Sequence, residues 1–165
     1  MKTRLLKIAS FIVIATFALL ISCVKDSKPV SLGEIDSLNL YDMDSVSLQL
    51  TSDDMRNSLL TVIFNPWCDH CQAQAEEFYK GINKLQDIRV IMIGAVPIEG
   101  VKEFSVKYGL NNFENITFTC GSPVHLYNAY GAIPMPYLRL YNKDMKFVKD
   151  FRSTTPVNEI LSYVQ

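Results

Sequence analysis

Residues 59–71 read LLTVIFNPWCDHC: six apolar or β-forming residues, an Asn-Pro-Trp turn, and two cysteines separated by two residues. The run Leu59 to Phe64 is continuously apolar rather than alternating, the pattern of a strand buried on both faces in a helix-covered parallel sheet. Ile88-Arg89-Val90-Ile91-Met92-Ile93 is a second run of this kind. Between them Ala75, Phe78, Ile82 and Leu85 recur at helical spacing, and Glu76, Lys80 and Lys84 fall at successive i,i+4 positions. Strand, amphipathic helix and strand make a βαβ unit with a right-handed crossover. The cysteine motif therefore lies at a strand-to-helix turn, with Cys68 at or beside the helix N-terminus.

Downstream, Val101 to Tyr108 reads as a helix ended by Gly109, Ile116 to Thr119 as a short strand, and Val124 to Tyr130 as a short helix closed by Gly131. Tyr137–Tyr141 and Phe147–Phe151 flank Asn142-Lys143-Asp144 and predict a β-hairpin. Thr155-Pro156 opens a last helix with Val157, Ile160, Leu161 and Val164 on one face. There is no internal repeat. The fold class is α/β, a central mixed sheet with helices on both faces, in a single domain over residues 38–165. The chain is 165 residues long and 48% hydrophobic, enough for one real core.

The start of the chain reads differently. Lys2, Arg4 and Lys7 precede an uncharged apolar run from Ile8 to Ile21. That run is short for a membrane span, the alternative reading, and fits the central region of a secretory signal. It ends in Leu20-Ile21-Ser22-Cys23, which resembles the lipobox of bacterial lipoproteins, whose cysteine becomes the lipidated first residue. The expected organisation is a signal peptide over 1–22, a lipidated N-terminus and polar tether over 23–37 containing Pro29 and Gly33, then the domain. The implied location is a bacterial cell envelope, periplasmic or surface, with the membrane reached through the lipid anchor. Loss of 1–22 removes three of 16 basic residues and no acidic one, leaving 13 basic against 17 acidic. No basic run is present, so no nucleic-acid partner is expected.

With Cys23 assigned to lipid, Cys68, Cys71 and Cys120 are left, and an exported chain sits where disulfides persist. Unpaired N–H groups at a helix start stabilise a thiolate at Cys68, and Cys71 one turn later can attack a mixed disulfide formed there. A protonated His70 favours that thiolate; Asp69 opposes it by like charge and can turn to solvent.

These residues resemble the thioredoxin-like superfamily, most closely its extracytoplasmic TlpA/ResA-type branch, over roughly residues 45–165. Trp67-Cys68-Asp69-His70-Cys71 matches the family's Trp-Cys-x-x-Cys site, and Tyr130-Gly131-Ala132-Ile133-Pro134-Met135-Pro136 resembles its Tyr-Gly-Val-x-x-x-Pro segment. The resemblance implies a thiol-disulfide oxidoreductase with Cys68 and Cys71 catalytic and Trp67, Asp69 and His70 tuning the pair. It further implies a cis Pro136 facing the sulfurs, with the backbone of Met135 pairing with an extended substrate segment. An ordinary trans proline on an edge strand is the other reading. The implied partners are protein thiols and disulfides and an electron-donor or acceptor redox protein; no cofactor or metal is expected.

Several positions depart from the family. Gln74 stands where a glutamate often helps move protons at the buried thiol, Glu76 replaces a helix-kinking proline, and Tyr137 replaces the threonine after the cis-proline. Val62 stands where thioredoxins bury an aspartate. The proton acceptor for Cys71 is thus open among water, His70 and Glu77. The direction of electron flow is also open. His70 before the second cysteine resembles the oxidant DsbA, while the tethered layout resembles reductases and inclines the reading that way.

Rival chemistries are weaker. Gln72 follows the second cysteine where c-type haem attachment needs histidine. A zinc site would need Cys68, Cys71, Cys120 and His125 to converge, and a copper site would use a wider cysteine spacing plus His125. Cys120 reads as a small apolar residue near a strand end and His125 as a satisfied histidine. A thioredoxin-like binding subunit with a structural disulfide is the alternative of a different class.

Overall fold

The computed structural model describes residues 35, 37–48, 50–51 and 56–164. The expected signal segment, Cys23 and most of the tether lie outside the described residues.

β1 (Ser58–Phe64) is the centre of a five-stranded sheet of order β3-β2-β1-β4-β5. It pairs parallel with β2 (Ile88–Gly94), which pairs parallel with β3 (Ile116–Cys120). On its other side it pairs antiparallel with β4 (Tyr137–Tyr141), which pairs antiparallel with β5 (Phe147–Phe151). The sheet is mixed because the hairpin reverses direction where the βαβ crossovers cannot.

Every residue of β1 is buried, and alternate residues enter separate cores. Leu60, Val62 and Phe64 join one with Cys71, Ala75 and Phe78 of α1 (Asp69–Lys80), Val101 and Phe104 of α2 (Ile98–Lys107), and Val157 and Ile160 of α4 (Val157–Leu161). Leu59 and Ile63 join the other with Ile35, Leu38, Leu40 and Leu126 of α3 (Pro123–Tyr130). Both faces of the sheet are thus covered, which is why the strand is apolar without alternation. Among the described residues, no helix is long and apolar enough to cross a membrane.

The structure differs from the sequence-based expectation at helix ends. The first helix does not run on through Ile82 and Leu85: it stops at Lys80, and a 3₁₀ turn covers Ile82–Lys84. Gly81 lies at the break because α4 crosses there; a Cβ on it would fall 2.7 Å from Val157 Cγ2. Lys84 consequently leaves the charged stripe and donates to Asn158 Oδ1 at 2.9 Å, while Glu76 and Lys80 keep a 3.7 Å ion pair. α2 begins at Ile98, directly after Pro97, and Gly109 ends it in the left-handed region at φ 66°. α4 begins only after Pro156, which remains extended. β3 reaches Cys120, whose N–H and C=O both pair with Tyr41, so the chain before β1 extends the sheet edge.

Candidate active site

β1 delivers the chain to Asn65, and this residue organises the turn. Its side-chain oxygen accepts the Trp67 N–H at 2.9 Å, its carbonyl accepts the Cys68 N–H at 3.1 Å, and its own N–H points at Cys71 Sγ at 3.5 Å. The Gln72 amide donates back to the Pro66 carbonyl at 3.0 Å. Cys68 is the N-cap of α1, extended at φ −89° and ψ 122°, and its carbonyl accepts the N–H groups of Cys71 and Gln72. An Asx turn feeding an N-cap thus places one sulfur outside the helix start and the other inside the first turn.

The two sulfurs have different surroundings. Cys68 is half-buried, and its thiol donates to the Met135 carbonyl at 3.6 Å. The Met135–Pro136 peptide is cis, as the resemblance implied. Cys71 is 1% exposed, and its thiol is pushed up to about 12, chiefly by burial. The Asn65 N–H opposes that rise, while the adjoining Cys68 sulfur adds to it by hydrogen bonding and like charge. Cys68, Cys71 and Cys120 are free cysteines in this structure.

Trp67 is 67% exposed, and its ring lies over Gly100 of α2, where an added Cβ would stand 3.4 Å from Cζ2. Asp69 and His70 are exposed. Beside Met135, Ile133, Leu126 and Tyr127 help line an apolar pocket of about 190 Å³ between α3 and the 131–135 loop.

Gln74 has a role that its sequence position did not announce. It is buried, its amide N–H donates to the Thr155 carbonyl at 3.1 Å, and its amide oxygen accepts the Thr155 N–H at 2.7 Å. Thr154 Oγ1 donates to the His70 carbonyl at 3.0 Å. The connection between β5 and α4 is therefore fastened across the first two turns of α1. An uncharged side chain with both a donor and an acceptor three residues after a buried cysteine was the available signal.

The remaining candidates do not join the pair. Cys120 is half-buried at the end of β3; burial, then the charge of Glu99, raise its thiol, with Lys102 opposing. His125 Nδ1 lies 3.5 Å from the Asn39 amide nitrogen. Among the described residues no three His, Cys, Asp or Glu side chains converge, so Cys68, Cys71, Cys120 and His125 do not assemble a metal set.

No protein-family model matches the chain, and no curated protein matches it. Solved structures do. A secreted Mycobacterium tuberculosis disulfide oxidoreductase homologous to E. coli DsbE superposes with a TM-score of 0.60 at 16% identity, covering 77% of this chain and 94% of that one. The chain has a thioredoxin-like fold. MTB dsbF, in its mixed oxidized and reduced forms, gives a TM-score of 0.63 at 14% identity over 78% and 94%. A thioredoxin-like protein from Aeropyrum pernix gives 0.59 at 17% over 80% and 90%. In the thioredoxin-like frame, Cys68 and Cys71 occupy the strand-to-helix turn at the carboxyl end of the central strand.

Proposed function

We propose that the chain is a thiol-disulfide oxidoreductase of the TlpA/ResA type, exported, held to the membrane by lipid on Cys23, and working as a reductase on protein disulfides. One observation carries the oxidoreductase part of this reading: a partly exposed thiol at a helix N-cap, touching the Met135 carbonyl, with a fully buried thiol one turn behind it. The lipid anchor rests on Leu20-Ile21-Ser22-Cys23 and the reductase direction on the resemblance of the tethered layout.

The chemistry follows from that asymmetry. The Cys68 thiolate attacks one sulfur of a substrate disulfide; the S–S bond breaks, and the first substrate thiolate leaves and takes up a proton. Cys71 then gives up its proton to solvent and attacks Cys68 Sγ. The mixed disulfide breaks, the second substrate thiolate is protonated, and a Cys68–Cys71 disulfide remains. Two electrons have passed to substrate, and a dithiol redox partner must restore them. The backbone of Met135 and Pro136 would align the substrate segment, with the apolar pocket beside it receiving a flanking side chain.

Insulin-disulfide reduction by the purified chain tests the reading. Turnover that disappears in Cys68→Ser is expected. A reduced wild-type chain that leaves insulin untouched would favour the non-catalytic binding subunit instead.

A further inference from the structure

The connection from β5 to α4 crosses the active-site helix rather than running free over the surface. Phe151 before it and Val157 after it are buried in the same core as Cys71. Between them Thr154 reaches the carbonyl of His70 and Thr155 is gripped by Gln74. Those two attachments fall on either side of Cys71 in the sequence, and Cys71 and Gln74 share a helix face at i,i+3.

The grip depends on an amide. Thr155 presents one N–H and one C=O, and Gln74 answers with one acceptor and one donor, so four buried polar atoms are satisfied at once. A carboxylate could only accept and would face the Thr155 carbonyl with charge. Each polar atom left unmade in such a place costs about 1–3 kcal/mol, so the amide holds the segment firmly.

We propose that Gln74 is a positioning residue for Cys71: by clamping Thr155 it holds the 152–156 segment as a strap across the first turns of α1, keeping water from the second sulfur until a mixed disulfide has formed at Cys68. The inference rests on Cys71 being the resolving thiol of the oxidoreductase. It assigns the strap a role in the second half of the reaction, where the Cys71 proton must depart and its sulfur must turn toward Cys68. Cys71 is 1% exposed in the same core that Phe151 and Val157, the two ends of the strap, enter.

The experiment uses the full chain, reduced, with Gln74→Met and Thr154→Val. Methionine keeps the buried volume of Gln74 and removes both hydrogen bonds; valine removes only the bond to His70. The readout is the rate at which iodoacetamide modifies Cys71 at mildly alkaline pH, followed at that residue by peptide mass spectrometry. One unit of downward movement in a thiol raises its thiolate fraction about tenfold, so Gln74→Met is expected to react at least about fivefold faster and Thr154→Val about twofold faster. A second readout is the release rate of a small-thiol mixed disulfide at Cys68, expected to rise in the same order.

A folded Gln74→Met with a lowered melting temperature but unchanged Cys71 reactivity would overturn the proposal, since a purely structural amide behaves that way. If Gln74→Met fails to fold, unchanged reactivity in Thr154→Val overturns it equally. A wild-type chain inactive on insulin would remove the oxidoreductase reading, whereas the Cys71 reactivities would still decide whether the strap shields that sulfur.

Discussion

The Cys68 thiol donates to the carbonyl of Met135, 3.6 Å away and 67 positions later in the chain. The first cysteine and the loop expected to align substrate are thus in contact before any substrate arrives. β1 and β4 make this so: they are antiparallel neighbours, with Ile63 opposite Tyr137, and both the cysteine turn and the Met135 loop adjoin that end of the pair.

The two thiols differ in exposure, and that difference predicts different roles. Cys71→Ser should accumulate mixed disulfides through Cys68, while Cys68→Ser should accumulate none, because Cys71 is sealed in the core. Non-reducing electrophoresis after mixing with a disulfide-bonded protein reads this directly. Cys120→Ser should retain nearly full activity, since that residue is committed to the sheet edge with Tyr41. Trapping through Cys71 instead would reverse the assignment.

The burial of Cys71 also predicts a pH dependence. Its folded-state thiol is raised from 9.0 to about 12, so the fold favours the neutral form. A raised value contributes stability that is fully present below the unfolded value and is lost as pH climbs through the folded one. Denaturant unfolding of the reduced chain should therefore show its advantage over Cys71→Ala shrinking from about pH 9 toward pH 12. A constant difference across that window would mean that Cys71 is not desolvated.

Much of this architecture was legible because the sequence patterns and the packing agree. The hairpin strands Tyr137–Tyr141 and Phe147–Phe151 end where their polar loop and flanking residues indicated. The run before the motif is apolar on both faces because helices cover both. The helix ends were less legible because they depend on tertiary contact: Gly81 stops α1 on account of Val157, more than seventy residues away. The pairing of Gln74 with Thr155 is of the same kind. A glutamine in a helix is usually a solvated residue, and only the crossing of the 152–156 segment makes it a buried clamp.

Replacing that amide by an acid gives a test with a definite sign. In Gln74→Glu the protonated carboxyl has one donor and one acceptor and can reproduce both bonds to Thr155; the ionised form cannot. Burial raises a carboxyl, so the variant should be close to wild type near pH 4 and lose stability as pH rises, by about 1–3 kcal/mol at neutrality. Chemical unfolding at acid and neutral pH measures it. A variant equally stable at both would show that the amide bonds carry little.

A second buried polar group lies on the opposite face of the sheet. Arg139 Nε donates to Asp150 Oδ1 at 2.9 Å, and the Tyr137 hydroxyl donates to Asp150 Oδ2 at 2.7 Å. The guanidinium also lies over the rings of Phe147 and Tyr130, at 4.7 and 5.5 Å. Burial first, then the bond to Asp150, holds the Tyr137 hydroxyl well above the ordinary tyrosine range. Asp150→Ala strands a cation whose side chain is 4% exposed, and should cost about 3–5 kcal/mol. Adding Arg139→Met should recover much of that loss, because removing both partners leaves no buried charge. Equal losses in the single and double variants would mean that the pair is not acting as a unit.

The two residues between the cysteines give a test of how the redox potential of the proposed pair is tuned. Asp69 and His70 are both exposed, so any charge they carry would reach Cys68 through solvent rather than through the core. A protonated His70 stabilises the reduced, thiolate-bearing form and makes the disulfide more oxidising; Asp69 works against it. His70→Ala should therefore make the chain a stronger reductant and Asp69→Asn a weaker one. For a two-electron couple, tenfold in the equilibrium constant is about 30 mV. Screening at exposed positions holds each change below that, and each should shrink further in high salt. The dithiol–disulfide equilibrium with glutathione, measured for the wild type and both variants at low and high ionic strength, gives the values. Shifts of opposite sign that collapse in salt would establish both side chains as electrostatic tuners. If His70→Ala leaves the equilibrium unchanged at low salt, His70 is a spectator and the potential is set by the buried surroundings of Cys71.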